Sequence, residues 1–330
     1  MTSSDTELRG IVQAAFLRRP LAELLDACGA AALDLIVLKG AALAETVYPR
    51  PSLRPFGDID VLIRLEDASR VFALLSKLGY VVEAAAWKDL VSGRGCEANF
   101  FRSTERGVVV IEVHTDLLNN ALFQGLVSLD HAGLWQRSRP ACLAGTGGWV
   151  LGPEDQLLHL CLHLACHYFA APNSLEDIVQ ICIVQSVDWP LFLTLCRKAN
   201  AVTIGYCGLF AALTRGGASV PPFVLESLAP RSHRRTLENL VTPRSGEVQS
   251  NSCRFLLVWL LLDSAHSRFG AFHRLLFPSR AWLHSHYHHD FTDAPYYCCL
   301  PPGALLYARH MQFLLRVCLN TANAGRKCRL

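Results

Sequence analysis

Two periodicities divide this chain, and the change from one to the other constrains its fold more than any other feature. Up to about residue 120, short apolar runs closed by glycine or proline alternate with helical repeats, and from Pro153 onward the pattern is helical. A helix is expected over 20–32. Leu35-Ile36-Val37-Leu38 then reads as a buried strand ending in a turn at Lys39-Gly40. A second helix starts at Gly40 and covers 41–47, until Pro49, Pro51 and Pro55 break the chain into a loop. The run 57–63 is the next strand, 66–78 an amphipathic helix closed by Gly79, and 98–101 and 108–113 two more strands joined by a turn over 103–107.

The stretch 140–153 contains Ala144-Gly145-Thr146-Gly147-Gly148 and runs into Pro153-Glu154-Asp155, a helix-start pattern of proline followed by acids. A domain boundary is expected there, with helices beyond it over 154–170, 175–185, 190–198, 203–214, 222–228, 252–267 and 304–319. The expected class is α+β: a small mixed sheet with helices over 1–145, its core about 20–120, followed by a mostly α-helical domain over 150–330. No internal repeat interrupts this plan.

Composition narrows the function. A chain 51% hydrophobic and 18% charged folds around a sizeable core, and 31 basic against 28 acidic residues, net +3, provide no field for a long nucleic-acid footprint. Nucleic acid is therefore a disfavoured partner. Lysines are few (Lys39, Lys77, Lys88, Lys198 and Lys327), and the arginines that dominate the basic set suit forked contacts to phosphate or carboxylate. Thirteen cysteines, odd in number and without a CxxC pair, are scattered along the chain, several of them in apolar helical runs, and read as buried reduced thiols. The start MTSSDTELRG has no secretory pattern, and the longest apolar run, 255–262, stops at Asp263, well short of a membrane span. The expected location is cytoplasmic, with no membrane partner.

Asp58 and Asp60 carry the clearest chemistry. One residue apart in a strand, they project from one face, and two carboxylates so close repel unless a cation lies between them. Mg²⁺, bound through a few carboxylates plus substrate phosphate, suits such a pair. Glu112 supplies a third ligand if its strand neighbours theirs, and the same period of two places His114 and Asp116 on its face. Asp116 is a rival ligand or simply the start of the next loop.

The order of these elements resembles the nucleotidyltransferase superfamily of the DNA polymerase β type, in which a Gly-small pair opens a helix ahead of a metal-chelating DxD. It is closer still to the bacterial uncharacterised nucleotidyltransferase family. The residues that carry the likeness are Leu38-Lys39-Gly40, Tyr48-Pro49, Arg54-Pro55, Gly57-Asp58-Ile59-Asp60 and Glu112-Val113-His114, then Leu157-Leu158-His159-Leu160-Cys161-Leu162-His163 and Glu176-Asp177-Ile178. Two departures stand out: Ala41 replaces the superfamily's usual serine, and Glu112 replaces a common aspartate.

The resemblance implies a polymerase β-like domain and an enzyme that moves NMP from an NTP onto an acceptor hydroxyl, releasing pyrophosphate. It implies Asp58, Asp60 and Glu112 as the catalytic and metal-binding carboxylates for Mg²⁺, with Mn²⁺ as the other candidate. Lys39, Gly40, Ala41, Arg54 and Gly57 would hold the nucleotide, ATP among the NTPs, through helix-start N–H groups and basic side chains. The implied acceptors are small molecules, sugars or peptide natural products. Other readings are a regulatory protein that binds a nucleotide or partner without turnover, and an antitoxin-like protein that nucleotidylates a partner.

Histidines supply the remaining candidates. His159, His163 and His167 recur every fourth residue on one helix face, and His163 and His167, with His114, are candidates for substrate contact. Asp177 either orients one of them or caps a helix. The cluster His284, His286, His288, His289 and Asp290 is a polar loop in the simplest reading, and Arg231-Ser232-His233-Arg234-Arg235 a solvated surface.

Overall fold

A computed structural model describes residues 3–118, 123, 126–242, 251–277 and 310–312. The chain forms two compact units, Met1–Ala229 and Pro230–Leu330. In the first, α1 (Ser3–Ala30), β1 (Ile36–Val37), α2 (Lys39–Thr46), β2 (Ile59–Leu62), α3 (Ala68–Lys77) and β3 (Val81–Val82) lead to α4 (Ala84–Val91). The hairpin β4 (Glu97–Thr104) and β5 (Gly107–His114) follows, then α5 (His131–Arg137), β6 (Arg139–Leu143) and β7 (Thr146–Val150). Five helices close the unit: α6 (Pro153–Cys166), α7 (Pro172–Val184), α8 (Trp189–Lys198), α9 (Val202–Gly216) and α10 (Pro222–Leu228). The second unit contains α11 (Arg234–Val241), α12 (Asn251–Leu261) and α13 (Ala265–Leu276). The expected helix over 304–319 lies, apart from residues 310–312, outside the described residues.

The strands form one mixed seven-stranded sheet in the order β3-β4-β5-β2-β1-β7-β6, and helices follow it, as the change of periodicity anticipates. β2 and β5 are parallel neighbours, with Ile59 opposite Ile111 and Asp60 opposite Glu112. The side-chain period of two divides these strands cleanly. Ile59, Val61, Val109, Ile111 and Val113 enter a core shared with Leu17, Leu21 and Leu24 of α1, whereas Asp60, Glu112 and His114 occupy the opposite face. That opposite face is itself divided, since Leu62 joins Ile36, Leu38, Leu134 and Leu151 in a smaller apolar cluster.

Two segments depart from the sequence reading. α1 runs straight through Pro20, because Ala14, Leu17, Leu21, Leu24 and Cys28 make a continuous buried stripe whose burial outweighs the lost helix hydrogen bond. The glycine-rich stretch at the expected boundary is a β-hairpin. Ala144 (φ 52°) and Gly145 (φ 90°) form its two-residue turn with positive φ at both positions, and β7 pairs in parallel with β1. Leu143 and Leu25 pack close against Gly148, where a Cβ would lie 3.0 Å from Leu143 Cδ1 and 3.2 Å from Leu25 Cδ2.

Close helix contacts also rest on glycine. A Cβ at Gly208 would meet Cys161 Sγ at 2.5 Å, so α9 approaches α6 at backbone distance, and Cys28, Cys161, Cys196 and Cys207 are all buried.

One ion pair fastens α7 to the proline-rich loop before β2. Arg54 grips Asp177 with Nε to Oδ1 at 2.6 Å and Nη2 to Oδ2 at 2.8 Å, and Tyr48 Oη donates to Oδ1 at 2.8 Å. Asp177 is fully buried, so removing it strands a nearly buried guanidinium. We expect Asp177→Ala to cost about 3–5 kcal/mol, measured by urea denaturation. Arg54→Met in the Asp177→Ala background should cost much less than the same change in the wild-type chain.

Candidate functional site

The site begins with what precedes and follows β1. Leu38 donates its N–H to the Asp60 carbonyl (2.9 Å), which locks the start of α2 to β2. Lys39, the first residue of α2, adopts φ 45°, in the left-handed region that costs a side-chain-bearing residue about 1–2 kcal/mol. Gly40 follows because nothing larger fits: a Cβ there would lie 2.5 Å from Phe56 Cβ and 3.3 Å from Arg54 Nη1. The α2 N-terminus is thus pressed against the loop that leads into β2.

A cleft of about 560 Å³ opens at this junction. Lys39, Gly40, Arg54, Gly57, Asp58 and Asp60 line one side, and His163 of α6, His167 just after it, and Asn173 and Ser174 of α7 line the other. Glu112 and His114 stand beside Asp60 on the sheet face. Ala41 is 1% exposed, with its methyl group in the apolar core. The absent serine hydroxyl would therefore point into that core.

Asp60 Oδ1 is the focus of the cluster. It accepts from Lys39 Nζ at 2.6 Å and lies 3.0 Å from His114 Nε2. The same His114 nitrogen lies 3.6 Å from Glu112 Oε2, and His114 Nδ1 lies 3.6 Å from Glu97 Oε2. Asp60, Glu112 and His114 each present a ligand atom within 4.8 Å of the other two. Two carboxylate oxygens and an imidazole nitrogen at that spacing form a donor set that fits a divalent cation. Asp58 is not one of the three. β2 begins at Ile59, so Asp58 belongs to the preceding turn and the strand period does not aim its side chain, although it shares the cleft wall with Asp60.

The charges are strongly coupled. Burial alone would raise the Asp60 pKa, but the hydrogen bond from His114 and the charge of Lys39 outweigh it and hold the carboxyl well below its usual range. Burial would likewise lower His114, yet hydrogen bonds to Asp60 and Glu112 carry its pKa up to about 9. Asp58 is lifted to about 6 by burial and by the negative charges of Asp60 and Glu112. Burial, then the charges of Lys39 and His167, pushes His163 down to about 3, so its imidazole is neutral. Its Nδ1 lies 2.8 Å from Ser174 Oγ.

Arg54 faces the cleft, but its Nε and Nη2 donors go to Asp177, and Nη1 donates to the Pro55 carbonyl at 2.6 Å. His159 is buried beside a separate small cavity lined by Arg137 and Asp155. Asp116 ends outside the cluster, near His131 Nε2 at 3.5 Å. Residues 231–235 are exposed, as expected of a solvated surface, and the His284 to Asp290 cluster lies outside the described residues. Among the described residues no helix is long and apolar enough to cross a membrane.

Glu97 escaped the sequence reading. The turn at 103–107 contained the signal, because counting back from the Thr104 to Gly107 pair sets Asn99 opposite Glu112 and Glu97 opposite His114.

Comparison with protein families finds a match to the model described as "Uncharacterised nucleotidyltransferase", over residues 7–214. No curated protein and no solved structure matches the chain.

Protonation sets a pH dependence. His114 has a folded pKa near 9 against 6.5 for the unfolded ring, so its contribution is complete below pH 6.5 and is lost as pH rises through 9. Asp58, raised from 3.8 to about 6, adds a penalty as it ionises over that interval. Below about pH 7 the lowered pKa of His163 works the other way, so thermal denaturation should show Tm falling from pH 7.5 to pH 9.5, and His114→Gln should flatten that decline.

Proposed function

Because this chain belongs to the uncharacterised nucleotidyltransferase family, we propose that its cleft transfers a nucleoside monophosphate from an NTP to a hydroxyl of a small-molecule, sugar or peptide acceptor. The observation that carries this reading is the convergence of Glu112 and His114 on Asp60, which lines an open cleft together with Lys39 and Gly40. The family supports NMP transfer in general, and the acceptor class is our proposal.

Asp60 and Glu112 would hold a divalent cation, Mg²⁺ or Mn²⁺, with His114 joining them as a ligand once it releases its proton, and Asp58 would add its charge from the cleft wall. Bound there, the cation supplies Lewis-acid stabilisation of phosphoryl oxygens and lowers the pKa of an attacking hydroxyl. The first N–H groups of a helix lack acceptors within it, so Gly40 at the start of α2 binds phosphate together with Lys39. Arg54 acts at one remove, holding the loop that presents Gly57 and Asp58. Neutral His163, pinned at Nδ1 near Ser174, and the more exposed His167 offer uncharged polar contacts to the acceptor on the opposite wall. The acceptor oxygen bonds to the α-phosphorus, the bond from that phosphorus to the β-bridging oxygen breaks, and pyrophosphate leaves. The acceptor's proton goes to the carboxylate set.

The experiment is incubation with each labelled NTP, Mg²⁺ and a host extract, followed by mass spectrometry for an added NMP. Asp60→Asn should lower the transfer by at least about 10²-fold, the scale of losing a principal electrostatic group. Absence of both adduct and pyrophosphate with every NTP refutes the reading.

A further inference from the structure

Lys39 is placed to serve two partners, the Asp60 carboxylate and an anion at the start of α2. Its ammonium lies 2.6 Å from Asp60 Oδ1, the oxygen that also faces His114 and belongs to the cation-fitting trio. With side-chain exposures of 19% for Lys39 and 5% for Asp60, the pair sits where water screens little. A cation approaching Asp60 therefore meets an oxygen already neutralised by a positive charge at contact distance. A divalent ion needs the contact position on that oxygen and repels the ammonium that holds it, so Lys39 must give way for the ion to bind.

The geometry also gives Lys39 somewhere to go. It is the first residue of α2, and its side chain and the Gly40 backbone line the same cleft as Asp60. A lysine side chain is a compact charge on a flexible stem with three rotatable donors, able to exchange one oxygen partner for another without movement of the backbone. His114 approaches Asp60 in the same way, but it is 3% exposed, hemmed in by Glu97 and Glu112, and is itself one of the trio. Among these groups Lys39 is the cation with an open side toward the cleft.

We infer that Lys39 is a resident counter-ion that holds the cation's place on Asp60 until the phosphates of a nucleoside triphosphate draw it to the α2 N-terminus. Cation and nucleotide binding are then coupled through one side chain. This rests on the proposed nucleotide site. It adds that the cation alone binds weakly, and that nucleotide and cation strengthen each other's binding by the same factor, as linkage requires.

The test is binding of Mn²⁺ alone, followed by titration calorimetry or electron paramagnetic resonance, to the full chain and to Lys39→Met. The measurement is repeated with non-hydrolysable analogues of the four common NTPs. Lys39→Gly serves as a second variant, because glycine accepts the positive φ that lysine tolerates poorly, and circular dichroism checks the fold of each. Without nucleotide, Mn²⁺ should bind either variant about tenfold or more tightly than wild type, as expected when a contact-distance like charge is removed. An analogue should tighten Mn²⁺ binding to the wild-type chain more than to the variants.

Unchanged or weaker Mn²⁺ binding in both variants, with nucleotide binding retained, overturns the counter-ion role and leaves the proposed function standing. Tighter Mn²⁺ binding in the variants with equal nucleotide enhancement in all three proteins overturns the coupling. If wild type binds neither Mn²⁺ nor any analogue, alone or together, the proposed function fails and this inference with it.

Discussion

The structure turns on a single carboxylate. Asp60 stands on a central strand, 3% exposed, where an unpaired charge would be expensive, and its neighbours are arranged to meet that cost. Lys39 reaches it from the start of α2, and His114 from two residues beyond Glu112, its register partner. The Leu38 N–H to Asp60 carbonyl bond joins the same strand to the turn that delivers Lys39. The parallel pairing of β2 with β5 is thus both a fold feature and the origin of the site. A one-residue slip would send Glu112 and His114 to the core face and Ile111 and Val113 to the cleft side.

A second tie sets the cleft's outer wall. Arg54 and Tyr48 converge on Asp177, anchoring α7 to the loop that precedes Asp58 and Asp60. The wall carrying His163, Asn173 and Ser174 is therefore held relative to the carboxylates by a buried charge pair rather than by surface contacts alone. Burial pushes the Asp177 carboxyl up while Arg54 pulls it down, a balance in which each partner makes the other tolerable inside the protein. The roles assigned to Lys39 and Arg54 differ for this reason. Arg54 has its forked donors spent on a buried carboxylate, whereas Lys39 faces the cleft with a flexible stem.

Much of the sheet was legible in the chain because its local signals agree. Apolar runs near 36, 60 and 110, the helix closed by Gly79 (φ 82°) and the β4–β5 turn all fall where periodicity and turn chemistry place them. The reading failed where packing outweighed local preference. Pro20 suggested a helix start, yet α1 passes through it to keep a long apolar stripe buried. The glycines of 144–148 read as a change of composition, yet they lie in a hairpin whose turn takes positive φ at Ala144 and Gly145 and in which Leu25 and Leu143 pack close to Gly148. Glu97 went unnoticed because a lone acid in a strand has no meaning until its register partner is known.

By itself the sequence determined the alternation of strand and helix, the pair of acids at the start of β2, the turn that begins α2 and the family to which these belong. All of these are local, written in residues that are neighbours along the chain. Tertiary structure alone decided which acids meet. Asp60 joins Glu112 and His114, Lys39 takes Asp60, Arg54 turns to Asp177, and Ala41 turns into the core. Charge interactions inside a protein depend on distance and on exclusion of water, and neither quantity exists until strands more than fifty residues apart are laid side by side.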